Sequence, residues 1–227
     1  MKLFALFILV FIPLALGGYS HAGDSSSESH EGYGGGKHGM HPRPPRPPKV
    51  TPPPPTPAPY CEPGWTLSRR ISGGWCIRVF QGVTNQNKAE TLCKSQGATL
   101  SSVENAEERM LINQLGTTLM TTTTKWKYGT LRLGLVRNPV PGNRYAAGPF
   151  VMTDGFTVGL EGLTWSTGEP NTKYSEGMTR SCGMMWLWVP GGKVYSPWPI
   201  PGAMFTAVCP KTWNDKFRGY VCGKRAT

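Results

Sequence analysis

The chain of 227 residues is poor in two things, histidine in its C-terminal part and acid throughout. All four histidines (His21, His30, His38, His41) precede Cys61, whereas all six cysteines lie between Cys61 and Cys222. The cysteine-bearing segment therefore contains no imidazole, which excludes a Ser-His-Asp or Cys-His relay and a zinc site with histidine ligands within it. Acids number 13 against 24 Lys and Arg. No carboxylate pair stands out by spacing, so a hydrolase would lack its acid–base groups. Past the N-terminus no apolar run is long enough to cross a bilayer, so no transmembrane segment is expected there. No RNA- or DNA-binding signature accompanies the positive charge, so no nucleic-acid partner is expected. These exclusions leave binding rather than catalysis, and the expectation is that the protein is not an enzyme.

What is present divides into three parts. Residues 1–18 read as a secretory signal peptide: Lys2 supplies the positive start, Leu3 to Leu16 the apolar run, and Ala15, Gly17 and Gly18 the small residues for cleavage. The mature protein is accordingly expected to be secreted, where disulfides persist. Residues 19–59 form a linker, rich first in Gly, Ser and His and then in Pro. It has too little apolar surface to offset its ordering entropy and favours extended polyproline II. Thr51 and Thr56 among its prolines are candidate O-glycosylation sites, and its histidines offer the alternative of a loose metal-binding tract. Residues 60–227 are the size of one domain and hold all eight tryptophans, with 19 Lys and Arg against 10 Asp and Glu. Such a basic domain is suited to anionic glycans, lipid headgroups or bacterial surfaces, unless its charges are simply scattered over a solvated face.

Within the domain, Trp75, Ile77 and Val79 alternate with Cys76, Arg78 and Phe80, a strand with period two. Ser72-Gly73-Gly74 between Cys61 and Cys76 suggests a hairpin that brings those cysteines within bridging distance. A helix follows, capped by Thr84 or Asn85, with Ala89, Leu92, Cys93 and Gln96 on one face and Gly97 as its stop. Asn105 and Glu108 resemble a capping box opening a second helix, whose apolar stripe is Leu111, Ile112, Leu115 and Leu119. Beyond Thr124, short apolar pieces such as Leu131 to Leu135 are separated by Gly, Pro and Asn clusters, the punctuation of short strands and long loops. Two helices followed by loop-rich strands predict an α+β domain.

These pieces resemble a known family. Cys61-x-x-Gly64-Trp65 with Gly73-Gly74-Trp75-Cys76, Ala89-Glu90-x-x-Cys93-x-x-x-Gly97-Ala98-x-Leu100, Gly134-Leu135, Thr153-Asp154-Gly155, Trp165-x-x-Gly168-Glu169-Pro170-Asn171 and Gly219 to Lys224 follow the order of a long-form C-type lectin-like domain of the secreted nematode type. The resemblance implies the C-type lectin-like fold: two helices, short antiparallel sheets, a long loop region and three disulfides. Six cysteines allow 15 pairings, from which the resemblance selects Cys61–Cys76, Cys93–Cys222 and Cys182–Cys209.

The resemblance also implies a ligand site. In the family a calcium ion holds two sugar hydroxyls, and the groups that ligate the metal also bond those hydroxyls. Calcium takes 6–8 oxygen ligands. Glu169 and Asn171, with a cis Pro170 between them, match the mannose-type motif. Glu176, Asn214 and Asp215 complete the candidate calcium set, although Trp213-Asn214-Asp215 falls after Cys209 where the family places its counterpart before that cysteine. The family's acidic residue just ahead of Cys182 is replaced by the stretch Met178-Thr179-Arg180-Ser181, and Met204 to Val208 carries no carboxylate. Trp186 and Trp188 are read as parts of a core strand, and Tyr195 or Trp198 as the tip of an inserted loop from Pro190 to Pro201. Two readings follow. One is a secreted carbohydrate-binding protein for mannose-type or microbial glycans, with calcium as a possible cofactor. The other is a calcium-independent module for protein partners or anionic surfaces.

Overall fold

The computed structural model describes residues 57–140, 143–171, 174–175, 178–189, 202–212 and 217–227. Residues 1–18, expected to be a signal peptide, most of the expected linker, Glu176, the Pro190–Pro201 stretch with Tyr195 and Trp198, and Trp213, Asn214 and Asp215 lie outside the described residues. The domain opens with a hairpin of β1 (Thr66–Arg70) and β2 (Gly73–Gln81), whose register pairs Arg70 with Gly73 and Leu67 with Cys76. Gly73 takes a φ of 121°, a left-handed turn conformation open to glycine at little cost. Helix α1 (Gln86–Lys94) starts at Asn85, whose side chain accepts from Lys88 N, and is followed by Gly97 at a φ of 65°. After β3 (Thr99–Leu100) comes α2 (Ala106–Thr123), capped by Asn105, which accepts from Glu108 N at 2.8 Å.

The other half of the expected capping box is made only in part. The Glu108 carboxylate reaches back only to Glu104 N, at a long 3.3 Å, and its short contacts lie in the core, with Arg70 at 2.6 and 2.8 Å and Ser68 at 2.8 Å. A buried guanidinium is a stronger claimant than a backbone N–H at a helix start. The apolar stripe of α2 faces the core as expected, and Gly116 and Met120 join it. Ile112 and Met120 are fully buried with Gly116 between them, whereas Leu111, Leu115 and Leu119 pack around this line, partly buried. A Cβ on Gly116 would stand 2.7 Å from Leu187 and 2.8 Å from Leu131, so the helix approaches the sheet most closely where it has no side chain.

The remaining strands are β4 (Tyr128–Val140), β5 (Asn143–Met152), the short pair β6 (Tyr174–Ser175) and β7 (Met178–Thr179), β8 (Cys182–Trp188), β9 (Met204–Ala207) and β10 (Phe217–Arg225). The main sheet runs β1-β2-β10-β4-β8-β9, with β3 on β10 and β5 on β4. Its pairs are antiparallel except β10 with β4, which is parallel. At 13 residues β4 is longer than the Asn-Pro punctuation suggested. It continues through Asn138 and Pro139 with its register against β5 shifting there, as expected where proline offers no N–H to the ladder.

Leu131, Leu133 and Leu135 of β4, Met185 and Leu187 of β8, Ile77, Val221 and the buried line of α2 form the main core. A second cluster of Ala89, Cys93, Leu100, Tyr220 and Cys222 seats α1 on β10. Three disulfides, Cys61–Cys76, Cys93–Cys222 and Cys182–Cys209, staple these layers. The ends of the domain meet, with Tyr60 N donating to Thr227 O at 2.9 Å and Thr227 N to Tyr60 O at 3.1 Å. Among the described residues no helix is long and apolar enough to cross a membrane.

Candidate functional site

The loop holding Glu169 is fixed to the edge of the sheet by its backbone. Met204 N donates to Thr164 O at 2.7 Å and Ser166 N to Met204 O at 2.9 Å, so the loop runs alongside β9. The Trp165 ring packs on Phe150 with centroids 4.8 Å apart. A tight turn follows, closed by Glu169 N on Ser166 O at 2.9 Å, with Gly168 at a φ of 77° and a cis bond between Glu169 and Pro170. This path directs the Glu169 carboxylate at Thr206 in β9.

There the carboxylate is well occupied. Its Oε2 accepts from Asn171 N at 2.8 Å, Thr206 N at 3.0 Å and Thr206 Oγ1 at 2.5 Å. Its Oε1 faces the guanidinium of Arg180, with Nη1 at 3.9 Å, and that same nitrogen donates to Thr206 O at 3.5 Å. The Glu169 side chain is 11% exposed and that of Arg180 33%. Arg180 stands in the stretch where the resemblance implies an acidic calcium ligand, and Thr206 in the stretch where it implies Asn-Asp. A cation and a hydroxyl have replaced two carboxylates.

The described residues do not fit a calcium shell. One oxygen of Glu169 is engaged by three protein donors and the other faces the positive charge of Arg180, which would repel a divalent ion placed between them. Among the described residues no three His, Cys, Asp or Glu side chains gather as a metal site. Of the sequence candidates, Glu169, Pro170 and Asn171 are brought together; Glu176, Asn214 and Asp215 lie outside the described residues.

Beside Glu169 opens a cavity of about 220 Å³. Its charged walls are Arg180, Lys211 and Arg218, its apolar wall the rings of Trp186 and Phe205, stacked with centroids 4.3 Å apart at 24°. Sequence reasoning assigned Trp186 to a core strand. The strand is there, but its period of two sends Gly183, Met185 and Leu187 into the core and Trp186 to the cavity. Thr130 of β4 also lines it, and its hydroxyl is a buried polar atom with no hydrogen-bond partner among the described residues.

Behind this wall Arg132 is buried in the sheet. It donates to Thr84 O at 2.9 Å, to Gln86 Oε1 at 3.5 Å and to the carbonyl of Lys211. Burial first, and then the neighbouring Arg218 charge, lowers its pKa to about 10. Among the described residues Glu169 is the only carboxylate in the cavity lining. The sequence signal for this reversal of charge was Arg180 ahead of Cys182. Nothing in the spacing pointed to Thr130 or Phe205.

A two-helix domain on a mixed sheet, with a long loop whose cis-proline turn lies against the sheet edge and with three disulfides, defines the C-type lectin fold. Residues 66–140 match the family model of C-type lectin domain-containing protein 141/158, a span from β1 through β4 that ends before Glu169. Among solved structures, the cow C-type carbohydrate-recognition domain of CD23, determined in the presence of a GlcNAc2Man3 oligosaccharide, is similar at 20% identity. That match covers 75% of this chain and 99% of that one, with a TM-score of 0.50. A calcium-independent type II antifreeze protein is similar at 19% identity, over 75% of this chain and 98% of that one, with a TM-score of 0.49. The mouse scavenger receptor C-type lectin carbohydrate-recognition domain is similar at 16% identity, over 73% and 98% of the two chains, with a TM-score of 0.48. No curated protein matches.

Proposed function

We propose that this chain is a secreted glycan-binding protein whose C-type lectin domain works without calcium. The observation that carries the reading is the state of Glu169, whose carboxylate is held by Thr206 and the Asn171 N–H and faced by Arg180. An ion pair and hydrogen bonds within the protein take the place of a metal-centred cluster, so the loop is set before any ligand arrives. Binding then falls to the adjoining cavity. An aromatic wall suits the C–H face of a sugar, and side-chain donors around it suit hydroxyl and other oxygen groups. Export is supported by the signal-like residues 1–18 and by the three disulfides.

The test is a glycan array with the purified protein, run in millimolar calcium and again in EDTA. The expected result is one binding profile in both buffers, together with a thermal midpoint that calcium does not raise, since an ion bound only to the native state must raise it. Glycan binding abolished by EDTA would overturn the calcium-independent reading.

A further inference from the structure

A second recess runs along α2. Met110, Asn113, Thr117 and Thr121 follow one another at spacings of three and four residues, which puts them on one face of the helix. With Trp188 at the end of β8 and Val189 just after it, they line a groove of about 390 Å³. That volume lies within the roughly 300–1,000 Å³ of small-molecule sites. The sheet side of the groove is held by its backbone, with Val189 N donating to Lys127 O at 3.0 Å and Trp188 paired with Tyr128. Among the described residues none that lines the groove is charged, which favours an uncharged ligand.

Its polar part is incomplete. Asn113 is 7% exposed, and its Oδ1 has no hydrogen-bond partner among the described residues. Gly202, at a φ of 74°, brings the chain so close that a Cβ there would stand 3.4 Å from Asn113 Cβ. Buried amides are rarely left unbonded unless a ligand or water completes them. The threonines add acceptors of a particular kind. Thr117 Oγ1 donates to Asn113 O at 2.8 Å and Thr121 Oγ1 to Thr117 O at 2.9 Å, so each hydroxyl hydrogen is spent on the helix while the oxygen can still accept. A fitting ligand brings its own N–H and O–H donors. It also brings an apolar group for Met110, Trp188 and Val189, which a plain hexose lacks and an acetamido group supplies.

We propose that this groove is a second glycan subsite, for a neutral sugar carrying an acetamido group. The acetamido N–H is given to Asn113 Oδ1, its methyl packs on the apolar wall, and ring hydroxyls donate to Thr117 and Thr121. The inference goes beyond the cavity beside Glu169, with which the groove shares no lining residue, and stands whether or not that cavity takes a sugar.

The experiment follows the methionine methyl signals of the full chain by NMR, in EDTA, during titration with N-acetylglucosamine, N-acetylgalactosamine and glucose. Met110 reports on the groove and Met184 on the cavity beside Glu169; Met110→Leu and Met184→Leu assign the two signals. At least one N-acetylated probe should move the Met110 signal saturably, with an affinity about five-fold or more above that of glucose. Asn113→Ala should weaken that response about five-fold while the thermal midpoint holds or rises, because the amide bonds nothing in the free protein. Thr117→Val, which keeps the side-chain shape, should weaken it as well, and decides the matter if Asn113→Ala fails to fold.

A Met110 signal that stays still up to about 10 mM of every probe would overturn the inference. Movement of Met184 alone would overturn it too, by placing the sugar beside Glu169 and leaving the glycan reading standing. Equal affinity for glucose would remove the acetamido assignment, and an unchanged response in Asn113→Ala and Thr117→Val would remove the subsite. The array in EDTA decides the glycan reading on its own.

Discussion

Replacing Glu108 by alanine removes the main partner of a guanidinium that has no access to water. Arg70 and Glu108 have side chains with 0% exposure and meet through a two-pronged contact, Nη2 to Oε1 at 2.6 Å and Nε to Oε2 at 2.8 Å. Asp154 takes a third nitrogen at 3.0 Å, and the Trp75 ring lies 4.4 Å from the guanidinium carbon. Removing one partner of such a pair typically costs about 3–5 kcal/mol, because the other charge stays buried without full compensation. Asp154 remains in place, which argues for the lower half of that range; the loss of the Ser68 contact with Glu108 argues the other way. For a domain of this size each kcal/mol corresponds to a shift of about 2–4 °C, so the thermal midpoint should fall by roughly 6–20 °C. Glu108→Gln keeps the shape and one acceptor and should cost less. The Arg70→Met, Glu108→Ala double variant should lose less than the two single changes together, the signature of direct coupling. The assay is unfolding followed by near-UV circular dichroism, under conditions where it is reversible. A drop of less than about 2 °C for Glu108→Ala, or strict additivity in the double variant, would refute the reasoning.

Three further predictions concern the same scaffold. Burial alone would raise the Asp154 pKa, but Arg70 and the backbone N–H groups of Thr157, Phe156 and Ser102 hold it below its ordinary value. Its stabilisation is therefore complete above the unfolded value near 3.9 and is lost as pH falls through the folded one. The gap in midpoint between wild type and Asp154→Asn should close on acidification from pH 7 to about pH 2, and a constant gap would contradict this assignment. A Cβ on Gly134 would collide with the Leu100 carbonyl and stand 2.8 Å from Thr153 Oγ1. Gly134→Ala should thus cost about 1–3 kcal/mol, measurable by urea denaturation, and a neutral result would mean that β3 and β4 are free to part. The Cys93–Cys222 bridge closes a loop with a sequence separation of 129, so a double alanine variant should lose on the order of 5 kcal/mol. That loss would appear as a lower denaturant midpoint; an unchanged midpoint would show that packing around Ala89, Leu100 and Tyr220 suffices without the bridge.

Much of the scaffold was legible because its determinants are local. The alternation around Ile77, the caps at Asn85 and Asn105 and the stop at Gly97 depend on neighbours in sequence. The motif around Glu169 was legible as well, through resemblance. The partners of Glu169 were harder to see because they come from separate strands: Arg180 reaches it from ahead of β8, and Thr206 from 37 residues away on β9. The capping-box reading held for Asn105 and only in part for Glu108, since a local rule cannot weigh an Arg70 that lies 38 residues back. The α2 stripe was legible, but the place of Gly116 in it was not, because hydrophobicity ranks leucine above glycine whereas the closest approach of helix to sheet selects the smallest residue. Arg132, flanked by Leu131 and Leu133, gave no sign that its guanidinium would be absorbed by backbone carbonyls and the Gln86 amide.

The disulfide layout sets how the domain would answer to mechanical force. A load applied across Tyr60 and Thr227 opens their two mutual hydrogen bonds and meets Cys61 at once on one side; on the other it must part Ala226 N from Gly74 O and the last β10–β2 pairs before Cys222 takes it. From there the tension passes through Cys76, along the chain to Cys93 and across to Cys222. Everything from residue 94 to 221, including the cavity beside Glu169, hangs off this line as a side loop. A steady pull on both ends runs through this covalent line and bypasses the backbone that lines the cavity.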